Sequence, residues 1–309
     1  MIFAVRAIMV SLAFFALLYT SLSLILVLVW TQWSRKLDKC LPPDGLFMLR
    51  VAPFGISAAV SLLLILPSFV VFETHSMDED LGTFVLGICA VLFVFVGLFR
   101  VVVAEVRTRR IVKACLEGAV EFKSADITPA VITPKTISPL MVVGIRVPRI
   151  VISQSTHHIL SDGELLAAVR HEAQHLRARD NLKKAIFNCL AFPGTAGLEA
   201  AWQKAAELSA DNSAVSSRRE ALDLAAALIK LSRRSSHQTM PVFAIGLIND
   251  SEATAKRVEQ LLAWKEASEV ASDRWRYAVL AVCAACLAVA MKLGLVLSLF
   301  HTITERFVP

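Results

Sequence analysis

Charge and tyrosine are both scarce in this chain of 309 residues. Only 19% of its residues are charged, against 56% hydrophobic, an apolar excess that excludes water as the sole solvent of the protein. The only tyrosines are Tyr19 and Tyr277, both in or beside apolar runs, so a tyrosine hydroxyl is excluded as the oxyanion stabiliser of a site built from the polar middle of the chain. Six cysteines, Cys40, Cys89, Cys115, Cys189, Cys283 and Cys286, are scattered and imply no disulfide framework. Cys283 and Cys286 have the spacing of a metal or redox pair, but they sit in an apolar stretch without a partner pair and read as small packing residues. There is no internal repeat, low-complexity tract or nucleic-acid motif. The formal charge of +6 comes from Lys and Arg gathered beside apolar runs, which signals topology and anionic lipid rather than nucleic acid.

What the chain has in abundance is uncharged length. Ala7 to Ser34, Val51 to Phe72 and Leu81 to Phe99 carry no charge, and a membrane-crossing helix needs roughly 20 such residues. Tyr277 to Phe300 adds a fourth run if Lys292 snorkels to the interface or faces protein. The first run is longer than the roughly 7–15 residues of a secretory leader and reads as a retained helix. Pro67 is expected to disturb the second, which membrane helices tolerate. Four transmembrane helices are therefore expected, at about 7–34, 51–72, 81–99 and 277–300.

The loops between the runs differ in basic residues. Arg35, Lys36, Lys39 and Arg50 flank the first loop, the second (73–80) has neither Lys nor Arg, and Arg100, Arg107, Arg109, Arg110 and Lys113 follow the third run. The positive-inside rule then places the N-terminus outside and residues 101–275 in the cytoplasm of a multi-pass protein of the cell (inner) membrane. The expected domains are a membrane part at 1–100, a cytoplasmic catalytic domain at 101–275, and the fourth helix with a short outer tail at 276–309.

Within the cytoplasmic part, the third helix is expected to continue from Val101 to Leu116. Short β-branched segments broken by Pro and Gly follow between Phe122 and Gln154, around Ile127, Val131, Val142 and Arg149 to Ile152, and predict a small sheet. Ser161-Asp162-Gly163-Glu164 is a capping box that opens a helix running to about Arg179, with Leu165, Leu166, Val169 and Leu176 inward. Ala185 to Leu198 is apolar but too short to span, and reads as a buried or interface-lying hairpin. Further helices are expected at about 198–216, 218–233 and 251–268.

The chemistry sits at His171-Glu172-Ala173-Gln174-His175, an H-E-x-x-H sequence on that capped helix. Residues four apart share a helix face, so both imidazoles can hold one Zn²⁺ while Glu172 acts as general base and then passes the proton to the leaving amine. A catalytic zinc takes three protein ligands and keeps one position open. Glu207 supplies the third, and Asp211, one turn later, has the natural role of fixing the tautomer of a ligating imidazole. Arg177 and Asp180 are candidates for locking the helix to its neighbour, with a solvated position equally open to each. Asn188, His237, Arg146 or a backbone N–H are the candidate oxyanion donors. His157 and His158 read as loop residues.

These residues resemble the BlaR/MecR family of membrane zinc metallopeptidases, whose best-known members transduce β-lactam signals. The likeness covers the transmembrane pattern. It is most specific from Ser138-Pro139 through Gly144 and Pro148-Arg149-Ile150-Val151-Ile152, into His171-Glu-Ala-Gln-His-Leu-Arg-Ala-Arg-Asp180, and on to Glu207-Leu-Ser-Ala-Asp211. Arg257-Val-Glu-Gln-Leu-Leu262 looks like the family's later helix. The resemblance implies an inserted cytoplasmic α+β gluzincin domain between the third and fourth spans of an α-helical membrane protein. It implies one Zn²⁺ per chain on His171, His175 and Glu207, with Glu172 catalytic. Two departures stand out. The chain ends at Pro309 without a C-terminal penicillin-binding sensor domain, so direct β-lactam sensing is not expected, and Lys204 stands where members often carry arginine.

The sequence thus predicts a membrane-embedded zinc endopeptidase that hydrolyses a cytoplasmic or juxtamembrane protein in signal transduction, with the chain itself and a transcriptional repressor among the candidate substrates. A substrate strand is expected to add to the sheet edge near Val142 to Ile152. The alternatives are a quality-control protease for membrane proteins and a non-proteolytic signalling scaffold. Expected partners are the polypeptide substrate and the lipid bilayer, with a homodimer left open and no nucleic acid.

Overall fold

The computed structural model describes residues 2–72, 81–122, 130–134, 139–233, 244–246, 251–265 and 302. They form a mostly helical protein with one small sheet, divided into two compact units. The first unit comprises residues 1–97, 190–199 and 269–309, and the second 98–189 and 200–268.

In the first unit α1 (Ile2–Cys40) is followed by α2 (Pro43–Val60), which starts on Pro43, where a missing N–H costs nothing. A π-helical turn, Ser61–Ile65, then leads into α3 (Leu66–Phe72). Leu66 N–H reaches back five residues to Ser61 O, just where Pro67 withdraws the donor that Leu63 O would use, so the ladder widens instead of ending. With α4 (Leu81–Leu116), three helices among the described residues are long and apolar enough to cross a membrane: Val5–Gln32, Pro43–Phe69 and Phe84–Ala114. Large apolar side chains along α1 and α4, among them Leu24, Leu28, Phe95 and Phe99, stay exposed, as helices facing lipid require. Polar side chains in these helices fold back on the backbone: Ser11 donates to Ala7 O, Ser57 to Pro53 O and Ser68 to Ile65 O. The expected fourth helix at 277–300 lies outside the described residues.

The segment from Leu190 to Glu199 belongs to this first unit, although it is short and carries backbone turns. Arg50, on α2 and 2% exposed, holds it: Nη2 donates to Leu190 O at 2.7 Å and Nε to Glu199 Oε1 at 2.9 Å. Tyr19 Oη donates to the same carbonyl at 3.0 Å. Phe192 packs edge-on to Tyr19, within an aromatic cluster that includes Phe15, Phe54 and Phe93. Turn carbonyls lodged in apolar surroundings need such donors.

In the second unit the sheet has the order β1-β2-β4-β3-β5, from strands Val120–Glu121, Ala130–Thr133, Leu140–Val143, Arg149–Ser153 and Ala244–Gly246. β2 runs parallel to β4, and the other pairings are antiparallel. β3 is therefore not an edge. Ala244, Ile245 and Gly246 pair with Val143, Val142 and Met141, so the chain itself covers the side expected to accept a substrate strand. Ile127 lies outside the described residues.

Six further helices lie among the described residues: α5 (Gln154–Ile159), α6 (Asp162–Ala178), α7 (Asp180–Cys189), α8 (Ala196–Ala214), α9 (Arg218–Ser232) and α10 (Ser251–Leu262). α8 begins in the first unit and runs through the second. Alternate residues Leu140, Val142, Ile150 and Ile152 of the sheet and Leu165, Ala168 and Val169 of α6 form one core with Leu224, Leu228 and Leu231 of α9. His157 and His158 belong to the short helix α5 rather than to a loop, because Ser153 caps it through Thr156 N–H.

Candidate metal centre

α6 is fixed at both ends. Ser161 N–H donates to Glu164 Oε2 at 2.8 Å and Glu164 N–H to Ser161 Oγ, and Lys230 of α9 adds 2.6 Å to the same carboxylate. Burial acts against the Glu164 anion, but Lys230 and Ser161 outweigh it and hold the carboxyl below its usual range. At the other end Arg179 adopts the left-handed conformation, with φ 54°, an uncommon choice for a residue with a side chain. The reversal turns Asp180 back toward α6. Asp180 Oδ2 lies 2.8 Å from His175 Nδ1, both groups buried.

His171, His175 and Glu207 come together here. The two Nε2 atoms are 3.1 Å apart, and Glu207 oxygens lie 3.5 Å from His171 Nε2 and 3.7 Å from His175 Nε2. One ligand atom from each falls within 4.8 Å of the others, and all three side chains are buried. Ligands held at about 2.0–2.2 Å in a tetrahedral set stand roughly 3.3–3.5 Å apart, close to these separations. The hydrogen-bond inventory agrees. Both carboxylate oxygens of Glu172 are buried without a hydrogen-bond partner among the described residues, and those of Glu207 are held by ionic contacts with Arg257 and the two imidazoles. Four buried carboxylates, Glu172, Asp180, Glu207 and Asp211, stand against the buried guanidinium of Arg257, which pairs with Asp211 and Glu207, and the ammonium of Lys183, 3.4 Å from Asp180 Oδ1. The donor set and the excess of negative charge fit a metal ion.

Each imidazole has a carboxylate behind it. Asp180 serves His175, and Asp211 Oδ1 lies 2.9 Å from His171 Nδ1, an ionic contact whose angle falls short of a hydrogen bond. Burial alone lowers the pKa of His175, but Asp180 and Glu207 outweigh it and raise it. Burial pushes the Glu172 carboxyl up to about 7, against the pull of His175 and His171. Glu207 and Asp211 resist burial and stay below the usual carboxylate range, through the imidazoles and Arg257 for Glu207 and through Arg257 and His171 for Asp211.

Arg257 on α10 is the residue that sequence reasoning placed only in a later helix. Its Nε and Nη2 reach Asp211 at 2.7 and 2.6 Å, and Nη1 lies 2.9 Å from Glu207 Oε2. An arginine in the amphipathic helix 251–262 gives no signal of burial by itself, since its partners lie 46 residues or more upstream. Lys184 on α7 was also missed. Burial lowers its ammonium below the usual range, while the fields of Glu207, Asp180 and Glu172 oppose that shift. Of the other candidates, Asp180 is buried on His175, Arg177 is exposed, Asn188 is half-buried on α7, and Lys204 is exposed on α8. Arg146 lines a different cavity, and His237 is outside the described residues.

No curated protein matches the chain. A family model described as BlaR1 peptidase M56 matches residues 69–261, which include every residue of this centre.

Proposed function

The chain belongs to the BlaR1 peptidase M56 family, and from that membership we propose that it is a membrane-embedded, zinc-dependent endopeptidase that cleaves a cytoplasmic or juxtamembrane polypeptide in signal transduction. The observation that carries the reading is the buried triad of His171, His175 and Glu207 with the unpartnered carboxylate of Glu172 beside it. His171, His175 and Glu207 would hold one zinc. Zinc, when bound, supplies a Lewis acid that polarises a carbonyl and acidifies water.

The remaining steps fall to side chains of this chain. Glu172 accepts the proton of the attacking water and delivers it to the leaving amine, and its burial, which brings the carboxyl to about 7, suits both halves of that task. Asp180 and Asp211 keep the Nδ1 side of each imidazole engaged, which would leave Nε2 free to hold the metal. Arg257 fixes Asp211 and Glu207 relative to one another.

The asymmetry of Lys and Arg around the spans supports a cytoplasmic catalytic domain and an outer N-terminus. A transcriptional repressor is one substrate of suitable kind. The chain itself is another, since its own strand at 244–246 already lies on β3 in extended form.

The test uses the full chain purified in detergent beside Glu172→Gln, with metal content, self-cleavage and cleavage of an unfolded reporter polypeptide measured together. About one zinc in both proteins, with cleavage by the wild type alone, is the expected result. Equal cleavage by Glu172→Gln would remove the peptidase assignment, and absence of zinc from both would remove the ligand set.

A further inference from the structure

α4 does not stop where its apolar run ends at Phe99 but continues to Leu116. The headgroup layer adds roughly 5–7 Å to each side of the hydrocarbon core, about four or five residues at helical rise. Glu105, six residues or about 9 Å beyond Phe99, stands at the outer side of that layer, within reach of lipid phosphates. There, Glu105, Thr108, Arg109 and Lys113 of α4, with Glu117 just past its end, face the turn Gly144–Val147 and Arg149 across a cavity of about 680 Å³. The volume is that of a small-molecule site.

The polar groups of this cavity are incompletely satisfied. Thr108, 1% exposed, has a hydroxyl without a hydrogen-bond partner among the described residues. Glu105 Oε1 accepts from Arg109 Nε at 2.8 Å, but its buried Oε2 has no partner. Among the described residues, no carboxylate pairs with Lys113, Arg146 or Arg149. The four cations of the lining outnumber its two carboxylates, so the cavity favours an anion. Glu105 Oε2 adds a second demand, for a donor on the same ligand.

We propose that this cavity binds a phosphate group whose ester carries a hydroxyl or ammonium donor. Arg146, Arg149 and Lys113 meet the phosphate with Thr108 Oγ1 donating, and the donor of the ester reaches Glu105 Oε2. Phosphatidylglycerol has this chemistry, as does soluble glycerol 3-phosphate. Phosphatidylcholine, whose quaternary ammonium has no N–H, lacks the second half. The site is separate from the metal centre and does not depend on its chemistry.

The test displaces an acyl-labelled phosphatidylglycerol reporter from the detergent-purified full chain with phosphatidylglycerol, phosphatidylcholine or glycerol 3-phosphate. Phosphatidylglycerol should compete at about tenfold lower concentration than phosphatidylcholine, the preference of one or two charge-assisted hydrogen bonds. Arg146→Gln with Arg149→Gln should erase the preference, and Arg110→Gln, outside the lining, should keep it. Thr108→Val, close to isosteric, should weaken it about fivefold and guards against misfolding of the double variant. Displacement by glycerol 3-phosphate as strong as by the lipid, and sensitive to the same substitutions, would support the site with a soluble ester as its ligand. Equal competition by the two lipids in the wild type overturns the proposal. So does a preference that survives Arg146→Gln with Arg149→Gln, or one that Arg110→Gln erases as fully.

Discussion

Arg257 grips Asp211 with two charge-assisted hydrogen bonds, Nε to Oδ2 at 2.7 Å and Nη2 to Oδ1 at 2.6 Å, both side chains buried. The same guanidinium reaches Glu207, so a single cation ties α10 to the two acids that α8 contributes to the centre. Arg257→Met leaves both acids without that cation. Breaking a buried pair from one side costs about 3–5 kcal/mol, and that loss of unfolding free energy is expected here. Arg257→Lys keeps the charge but cannot span both acids with a planar fork, so it should fall between the two. Denaturant unfolding of the three proteins in detergent gives the ranking, and a methionine variant as stable as the wild type would show that the pair contributes nothing.

Asp180 and His175 are five residues apart yet 2.8 Å in contact, because Arg179 breaks the helix in the left-handed conformation. Asp180→Asn keeps the shape but removes the anion that holds the ring. Substitution of such a partner behind a metal-bound imidazole typically lowers metal affinity by about 10–100-fold. Zinc competition against a chelator measures this without reference to peptide cleavage. Unchanged affinity would reduce Asp180 to a structural cap of α7.

The H-E-x-x-H helix and its capping box were legible in the sequence because their signals are local: spacing on a helix face and a fixed N-terminal pattern. Glu207 and Asp211 stand out in the sequence as a second pair four apart, and the return of α8 sets their carboxylates beside the imidazoles. Helices at 218–232 and 251–262 and the short strands were legible from local signals as well. Arg257 was not, since its burial depends on α10 returning to α8, and Lys184 was not, since nothing in the run Lys183-Lys184 distinguishes a half-buried lysine from a solvated one. Asp180 was seen, but its role stayed open because an unbroken helix would carry it off the face of His175, and a left-handed Arg179 has no sequence signature. The expected edge strand failed on the longest-range feature of the sheet, the pairing of β3 with a segment about a hundred residues downstream.

Glu220 anchors the start of α9. It accepts from Ser216 N–H and Oγ at 2.8 and 2.7 Å and pairs with Arg170 of α6 at 2.7 Å. The bonds from Ser216, and then that from Arg170, lower its carboxyl to about 2. A depressed folded-state pKa adds stability that is complete above the unfolded value of 4.5 and is lost as pH falls toward 2. Unfolding free energy measured between about pH 5 and pH 2 should therefore decline in the wild type and decline less steeply in Glu220→Gln. Identical slopes would show that other carboxylates govern the acid limb.

Arg50 sits 2% exposed in a helix long enough to cross a membrane, and it spends its guanidinium on the Leu190 carbonyl and on Glu199. Glu199 and Glu207 lie on the same helix, α8, eight residues or about 12 Å apart at helical rise. Loosening the first end of α8 should therefore disturb the carboxylate at the second. In Arg50→Met the loss should fall near the lower end of about 3–5 kcal/mol, because Glu199 keeps 33% exposure and regains water. A second handle reaches the same segment by another route. Gly194 has φ +88°, and a Cβ there would stand 2.8 Å from Val27 Cγ1, so Gly194→Ala meets both backbone strain and a clash. Both variants should lower thermal stability and weaken zinc binding together, read in detergent by unfolding and by chelator competition. If stability falls in both while zinc affinity stays at the wild-type value, the grip on residues 190–199 serves the membrane helices alone and does not reach Glu207.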